Sequence, residues 1–163
     1  MNKIFLLFTI LFSTCTYSQI LSYNDIKSIL DQSLIEADNT LSNKGYRINR
    51  NSGIDENSLS YIWDKKGKSD RSTSYLIISI DKSRPYKMVW YQFHSLSHYN
   101  SLLKTIESLN FKRTESYYKF ESLNSIYEND TYNISISKAA NHYTFSIRYQ
   151  FNKLLLKEIK PKF

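Results

Sequence analysis

Cysteine is almost missing: Cys15 is the only one in 163 residues. One thiol cannot close an intrachain disulfide or build a paired-thiolate zinc site, so hydrophobic packing has to hold the fold. Proline and glycine are scarce, at two and three, which leaves Asn, Asp and Ser to make most turns and caps. No apolar run has membrane-spanning length: the longest, IFLLFTILF at 4–12, falls well short of the ~20 residues a spanning helix needs. The motifs GxSxG, HExxH, GxGxxG and the P-loop are absent, and with them the commonest signatures of hydrolases, zinc proteases and nucleotide binders. Acidic residues are in the minority, giving a formal charge of +7.

The short apolar run has the form of an export signal. Lys3 supplies a positive start, and Thr16-Tyr17-Ser18 sets small residues at the two positions a signal peptidase reads. Residues 1–18 are therefore expected to be a signal peptide, cleaved before Gln19, leaving an exported, cysteine-free chain in the periplasm or outside a bacterial cell. A rival reading takes LFSTC as a lipobox and Cys15 as a lipidated first residue.

What is plentiful is aromatic: 15% of the chain, with fourteen tyrosines, a composition that favours strands. Ser22 and Asp25 form a capping signal ahead of Ile26, Ile29, Leu30, Leu34, Ala37 and Leu41, so a helix is expected over 22–43. Gly45 suits a left-handed stop and Tyr46 opens a strand. The theme returns at 97–109: Ser97 as cap, a stripe of Tyr99, Leu102, Leu103, Ile106 and Leu109, then Asn110 and Phe111 in the places of Gly45 and Tyr46. Strand patterns follow in the same order in both halves. SYIWDKK (60–66) matches NSIYEND (124–130), YLIISI (75–80) matches YNISIS (132–137), and the strand ending WYQF (90–93) returns as RYQF (148–151). Loops are expected at KKGKSDR, DKSRP, ESLNS and KAANH.

These patterns describe an α+β chain of tandem duplicated helix-plus-antiparallel-strands units: 19–94 and 95–151, followed by a basic amphipathic tail at 152–163. Neither unit can bury its sheet alone. Side by side they make one antiparallel sheet with two helices on one face. The layout resembles TATA-binding-protein-like folds and the bacterial β-lactamase inhibitory protein. The resemblance is one of architecture and implies no shared activity.

Alternation in the last strand sends Tyr143, Phe145, Ile147, Tyr149 and Phe151 toward the helices. Superposing the YQF copies sends Val89, Tyr91 and Phe93 inward and Met88, Trp90 and Gln92 outward. Met88 and Trp90 then stand where the second unit has Ser146 and Arg148. Exposed Trp and Met beside Arg and Gln have the composition of a protein-binding hot spot. Met88, Trp90, Gln92 and Arg148 are the candidate contacts for a protein partner, of the kind an immunity or inhibitor protein engages. A Trp platform also suits a sugar ring, so a glycan-binding or accessory envelope (lipo)protein is the alternative. Leu154, Leu155, Leu156 and Ile159 of the tail offer a third outcome, by covering Trp90 themselves.

Other chemistry is thin. His94 and His98 stand four apart, but one closes a strand and the other opens a helix, which spoils a shared ligand face. Asp55-Glu56 and Glu128-Asn129-Asp130 are loop clusters without a converging partner. Neither a catalytic residue, a metal nor a cofactor is assigned, and a non-enzymatic protein is expected. Basic residues cluster at Lys65, Lys66, Lys68 and Arg71, at Lys82, Arg84 and Lys87, at Lys112 and Arg113, and in the tail. For an exported chain they suit acidic glycans, an anionic envelope surface or an acidic protein rather than nucleic acid. The mature chain carries no apolar stretch of transmembrane length. Terminal Phe163 fits an outer-membrane barrel, but two capped amphipathic helix patterns argue against one.

Overall fold

The computed structural model describes residues 20–49, 52–54, 58–67, 72–81 and 86–150. The expected signal peptide with Cys15, the tail at 152–163, and Phe151 lie outside the described residues. The structure is α+β. Helices α1 (Tyr23–Asp31), α2 (Leu34–Asn43) and α3 (Leu96–Ser108) accompany strands β1 (Arg47–Ile48), β2 (Gly53–Ile54), β3 (Ser58–Lys66), β4 (Ser72–Asp81), β5 (Lys87–Phe93), β6 (Lys112–Lys119), β7 (Ser122–Glu128), β8 (Tyr132–Lys138) and β9 (Tyr143–Tyr149).

The expected helix over 22–43 is two helices. Ser22 accepts from the Asp25 amide while Asp25 accepts from the Ser22 amide, a reciprocal capping box. Ser33 and Glu36 repeat the device, so the chain leaves helical geometry at Gln32 and restarts. The freed carbonyls at the end of α1 are satisfied from far away. The Lys87 ammonium, on β5, donates to Ile29 O at 2.7 Å and Gln32 O at 2.6 Å and sits where the helix dipole favours a cation. The cap of α3 also differs from expectation: Ser95, not Ser97, accepts from the His98 amide, and Ser97 instead bonds the Ser95 hydroxyl.

Both expected helix stops are left-handed, Gly45 at φ 81° and Asn110 at φ 58°. A Cβ on Gly45 would meet only the flexible end of Lys65, at 3.5 Å, so the cost of a side chain there is conformational. Gly45→Ala is expected to lose about 1 kcal/mol of stability, and Gly45→Asn less, because Asn tolerates this backbone region. Urea midpoints of the two variants check the ranking.

All strand pairings are antiparallel. Eight strands follow one path, β1-β3-β4-β5-β9-β8-β7-β6, and β2 lies beside β1 along β3. The closing strands of the two halves, β5 and β9, meet at the centre. Two inner rows carry the core: Trp63, Leu76, Tyr91, Phe145 and Ile136, then Ile78, Val89, Ile147, Ile134 and Tyr127. Each helix touches these inner side chains. Tyr23 of α1 meets Phe145 edge-on, Asp38 of α2 accepts from the Trp63 indole, and His98 of α3 lies against Tyr91 and Phe93. Of the expected ESLNS loop only Glu121 lies outside a strand, because β7 begins at Ser122; the turn is Phe120-Glu121, both at positive φ, the geometry of a tight two-residue hairpin turn. The expected loop at KKGKSDR starts later, because β3 runs through Lys66.

Candidate functional site

Alternation along each strand divides the sheet into a helix-covered side and an outer side. The outer side can be read as rows across the strands. Its middle row runs Ile62, Ile77, Trp90, Ser146, Ser135 and Ile126. In the row on one side, Met88 stands between Ser79 and Arg148. In the row on the other side, Gln92 stands between Tyr75 and Thr144. Met88, Trp90, Gln92 and Arg148 therefore share one face around the β5–β9 junction, and Met88 and Arg148 are direct cross-strand neighbours.

The face is asymmetric. On the β3–β5 side its centre is apolar, with Ile62, Ile77 and Trp90 in line. On the β9–β8 side the same row is hydroxyl, Ser146 and Ser135. Met88, Trp90 and Gln92 are half-buried rather than fully exposed, and Arg148 is exposed. Flanking side chains on a twisted sheet shade the indole. The Arg148 guanidinium sits 6.0 Å from the Tyr86 ring centre, which holds its planar group over an aromatic surface.

The two YQF strings that led to this face end differently relative to their strands. WYQF occupies the last four residues of β5, whereas in RYQF only Arg148 and Tyr149 belong to β9 and Gln150 follows the strand. Phe93 faces Tyr143, the first residue of β9. The two copies are thus not at equivalent places along their strands. Trp90 lies opposite Ser146, and Met88 opposite Arg148.

Elsewhere the candidate chemistry resolves into structure. His94 Nδ1 bonds Asn141 O at 2.6 Å, while His98 lies in the core side of α3, its ring 4.7 Å from that of Phe93. Among the described residues, no three His, Cys, Asp or Glu side chains gather as metal ligands would. Asn129 accepts from the amides of Thr131 and Tyr132, and Glu128 accepts from Asn133, so this acidic cluster shapes the β7–β8 turn. Two cations expected in basic loop clusters are buried or half-buried within strands. Lys65 donates to Lys44 O and lies over the Tyr46 ring, and Lys87 caps α1. Burial lowers Lys87 to about 8, against the opposing pull of Asp31 and Glu36.

One feature escaped the sequence reading. The β6–β7 hairpin exposes Tyr117, Tyr118, Phe120 and Leu123 together. The aromatic run SYYKF was the available signal, but nothing in local periodicity marks β6 as the edge of the sheet. Compared with protein families, curated proteins and solved structures, the chain matches none.

Proposed function

We propose that this chain is an exported, non-enzymatic binding protein that engages a protein partner through its outer sheet face. Met88, Trp90, Gln92 and Arg148 form the centre of the contact. The observation that carries the reading is the apolar line Ile62–Ile77–Trp90, which ends at a hydroxyl row on the same face while all described helices contact the opposite side. An aromatic anchor bordered by Met and Arg is the composition in which interface energy concentrates. A protein surface, with its mixture of apolar and hydrogen-bonding groups, complements both halves of the face.

We read the architecture as a tandem duplication. Its support is matching register in the two halves. Arg47 faces Asp64 as Lys112 faces Glu128, and Ile48 faces Trp63 as Arg113 faces Tyr127. Buried Tyr46 and Phe111 each follow a left-handed stop. In this reading α1, which packs on β5 and β9, belongs to the first unit alone.

The test is affinity capture from the secreted and periplasmic fraction of the source cells, followed by calorimetry with the captured protein. Trp90→Ala is expected to weaken binding by about 2 kcal/mol or more, roughly 30-fold, with an unchanged circular dichroism spectrum. Equal affinity for wild type and Trp90→Ala would remove the outer face from consideration.

A further inference from the structure

We propose that β6 is a self-association edge, through which two copies of this chain join their sheets antiparallel about Tyr117. The two ends of the sheet differ. At one end β1 and β2 are two-residue strands, and the Ser52 amide turns back to Asn49 O between them. Among the described residues that edge offers only these short segments. At the other end β6 is a strand of eight residues, all exposed, and among the described residues β7 is its one neighbour in the strand order. A long exposed edge is a ready template for another strand, and proteins usually interrupt or cover it. Here a register shift interrupts only its beginning, between Arg113 and Glu115. From Glu115 to Lys119 the ladder with β7 is regular.

The regular stretch reads Glu115-Ser116-Tyr117-Tyr118-Lys119, and it is complementary to itself. Glu115, Tyr117 and Lys119 share the outer face, and Ser116 and Tyr118 the inner one, as their partners Ile126, Asn124, Ser125 and Leu123 show. A twofold axis through Tyr117 keeps the outer faces of both copies continuous. It sets Glu115 opposite Lys119 of the second copy, twice, and Ser116 opposite Tyr118 of the second copy, twice. The two Tyr117 side chains meet at the axis. Opposite charges and aromatic pairs directly across antiparallel strands are the stabilising combinations. Neighbouring registers are worse. An axis at Tyr118 opposes Glu115 with Glu121, and one at Ser116 brings Lys119 toward Arg113. The chosen register also brings Tyr118, at 73% exposure, into the contact. A contact of one strand per copy is small, so a reversible dimer is expected rather than a permanent one.

Sedimentation velocity of the full chain over about 1 µM to about 1 mM reads the equilibrium, with half-association expected at roughly 10–100 µM. Glu115→Lys and Lys119→Glu place like charges opposite each other in the homodimer, and each should sediment as a monomer at concentrations where wild type is mostly dimer. Mixed in equal amounts, the two variants regain both opposite-charge pairs, and dimer should return. Both changes lie on exposed positions, and near-ultraviolet circular dichroism verifies the fold of each variant. A wild type that stays monomeric throughout, a dimer that persists in the single variants, or a mixture that stays monomeric would each overturn the proposal.

Discussion

Trp63→Ala is expected to lower the free energy of unfolding by about 3–5 kcal/mol. Trp63 is 1% exposed, faces Leu76 across the β3–β4 ladder, and lies 6.3 Å from the Tyr61 ring. Its indole N–H donates to Asp38 Oδ1 at 2.7 Å, fastening α2 to the sheet. Truncation removes apolar contact, leaves a void and strands the Asp38 carboxylate. Trp63→Phe separates these effects, since the ring still fills much of the site while the hydrogen bond is lost. It is expected to cost about 1.5 kcal/mol, with most of that loss absent when Asp38→Ala is already in place. A domain of this size is stable by about 5–15 kcal/mol, so the alanine variant should shift the urea midpoint far at an unchanged slope. A loss under about 1 kcal/mol would contradict the placement of Trp63 at the heart of the first half.

The parts of the fold legible in the sequence are those set by local chemistry. The Ser22–Asp25 box, the left-handed stops at Gly45 and Asn110, and the strand alternation are decided within a few residues of themselves. The break at Gln32-Ser33 was also written locally, in Ser33 and Glu36, but the apolar stripe runs on from Ile29 and Leu30 to Ala37 and Leu41 across it. Hydrophobic period alone therefore sees one helix where capping makes two. Lys87 shows the opposite case. Its charge is visible in sequence, but its destination at the end of α1 depends on a strand more than fifty residues away. Strand order is equally non-local. Nothing near β6 announces that it ends the sheet, and so its aromatic residues carried no meaning until the ladder was known.

The candidate face was legible for a narrower reason. The matched YQF strings pair Met88 with Ser146 and Trp90 with Arg148 as positions of a repeat, while in the sheet Met88 faces Arg148 and Trp90 faces Ser146. Side chains two apart point to the same side of a strand. The assignment of all four to one face therefore holds for any even displacement between the strings, and only a single-residue slip would have undone it. The depth of the indole could not be read this way, because shading by Ile77 and the neighbouring rows arises from pairing and twist.

Acid is expected to loosen this protein through His98. The ring lies 4.7 Å from Phe93 and 6.1 Å from Tyr91, and its Nε2 is buried with no hydrogen-bond partner among the described residues. Burial pushes its pKa from 6.5 to about 4, with a hydrogen bond to the Leu21 backbone opposing. Between these values the unfolded chain binds the proton and the folded chain resists it, so folding weakens as pH falls. The contribution is fully present above pH 6.5 and is lost progressively down to about pH 4. Allowing for the partial exposure of the ring, the loss is on the order of 2 kcal/mol. Asp25 acts in a separate window. Burial raises its pKa, but hydrogen bonds from Ser22 and Lys44 outweigh this and hold the carboxyl below its usual 3.8. Its stabilising effect disappears only as pH falls through that lower value. Urea unfolding at pH 7 and pH 4.5 should therefore show wild type losing clearly more stability than His98→Gln, which cannot take up the proton. Parallel losses in the two proteins would mean that the imidazole is protonated as readily in the folded state as in the unfolded one.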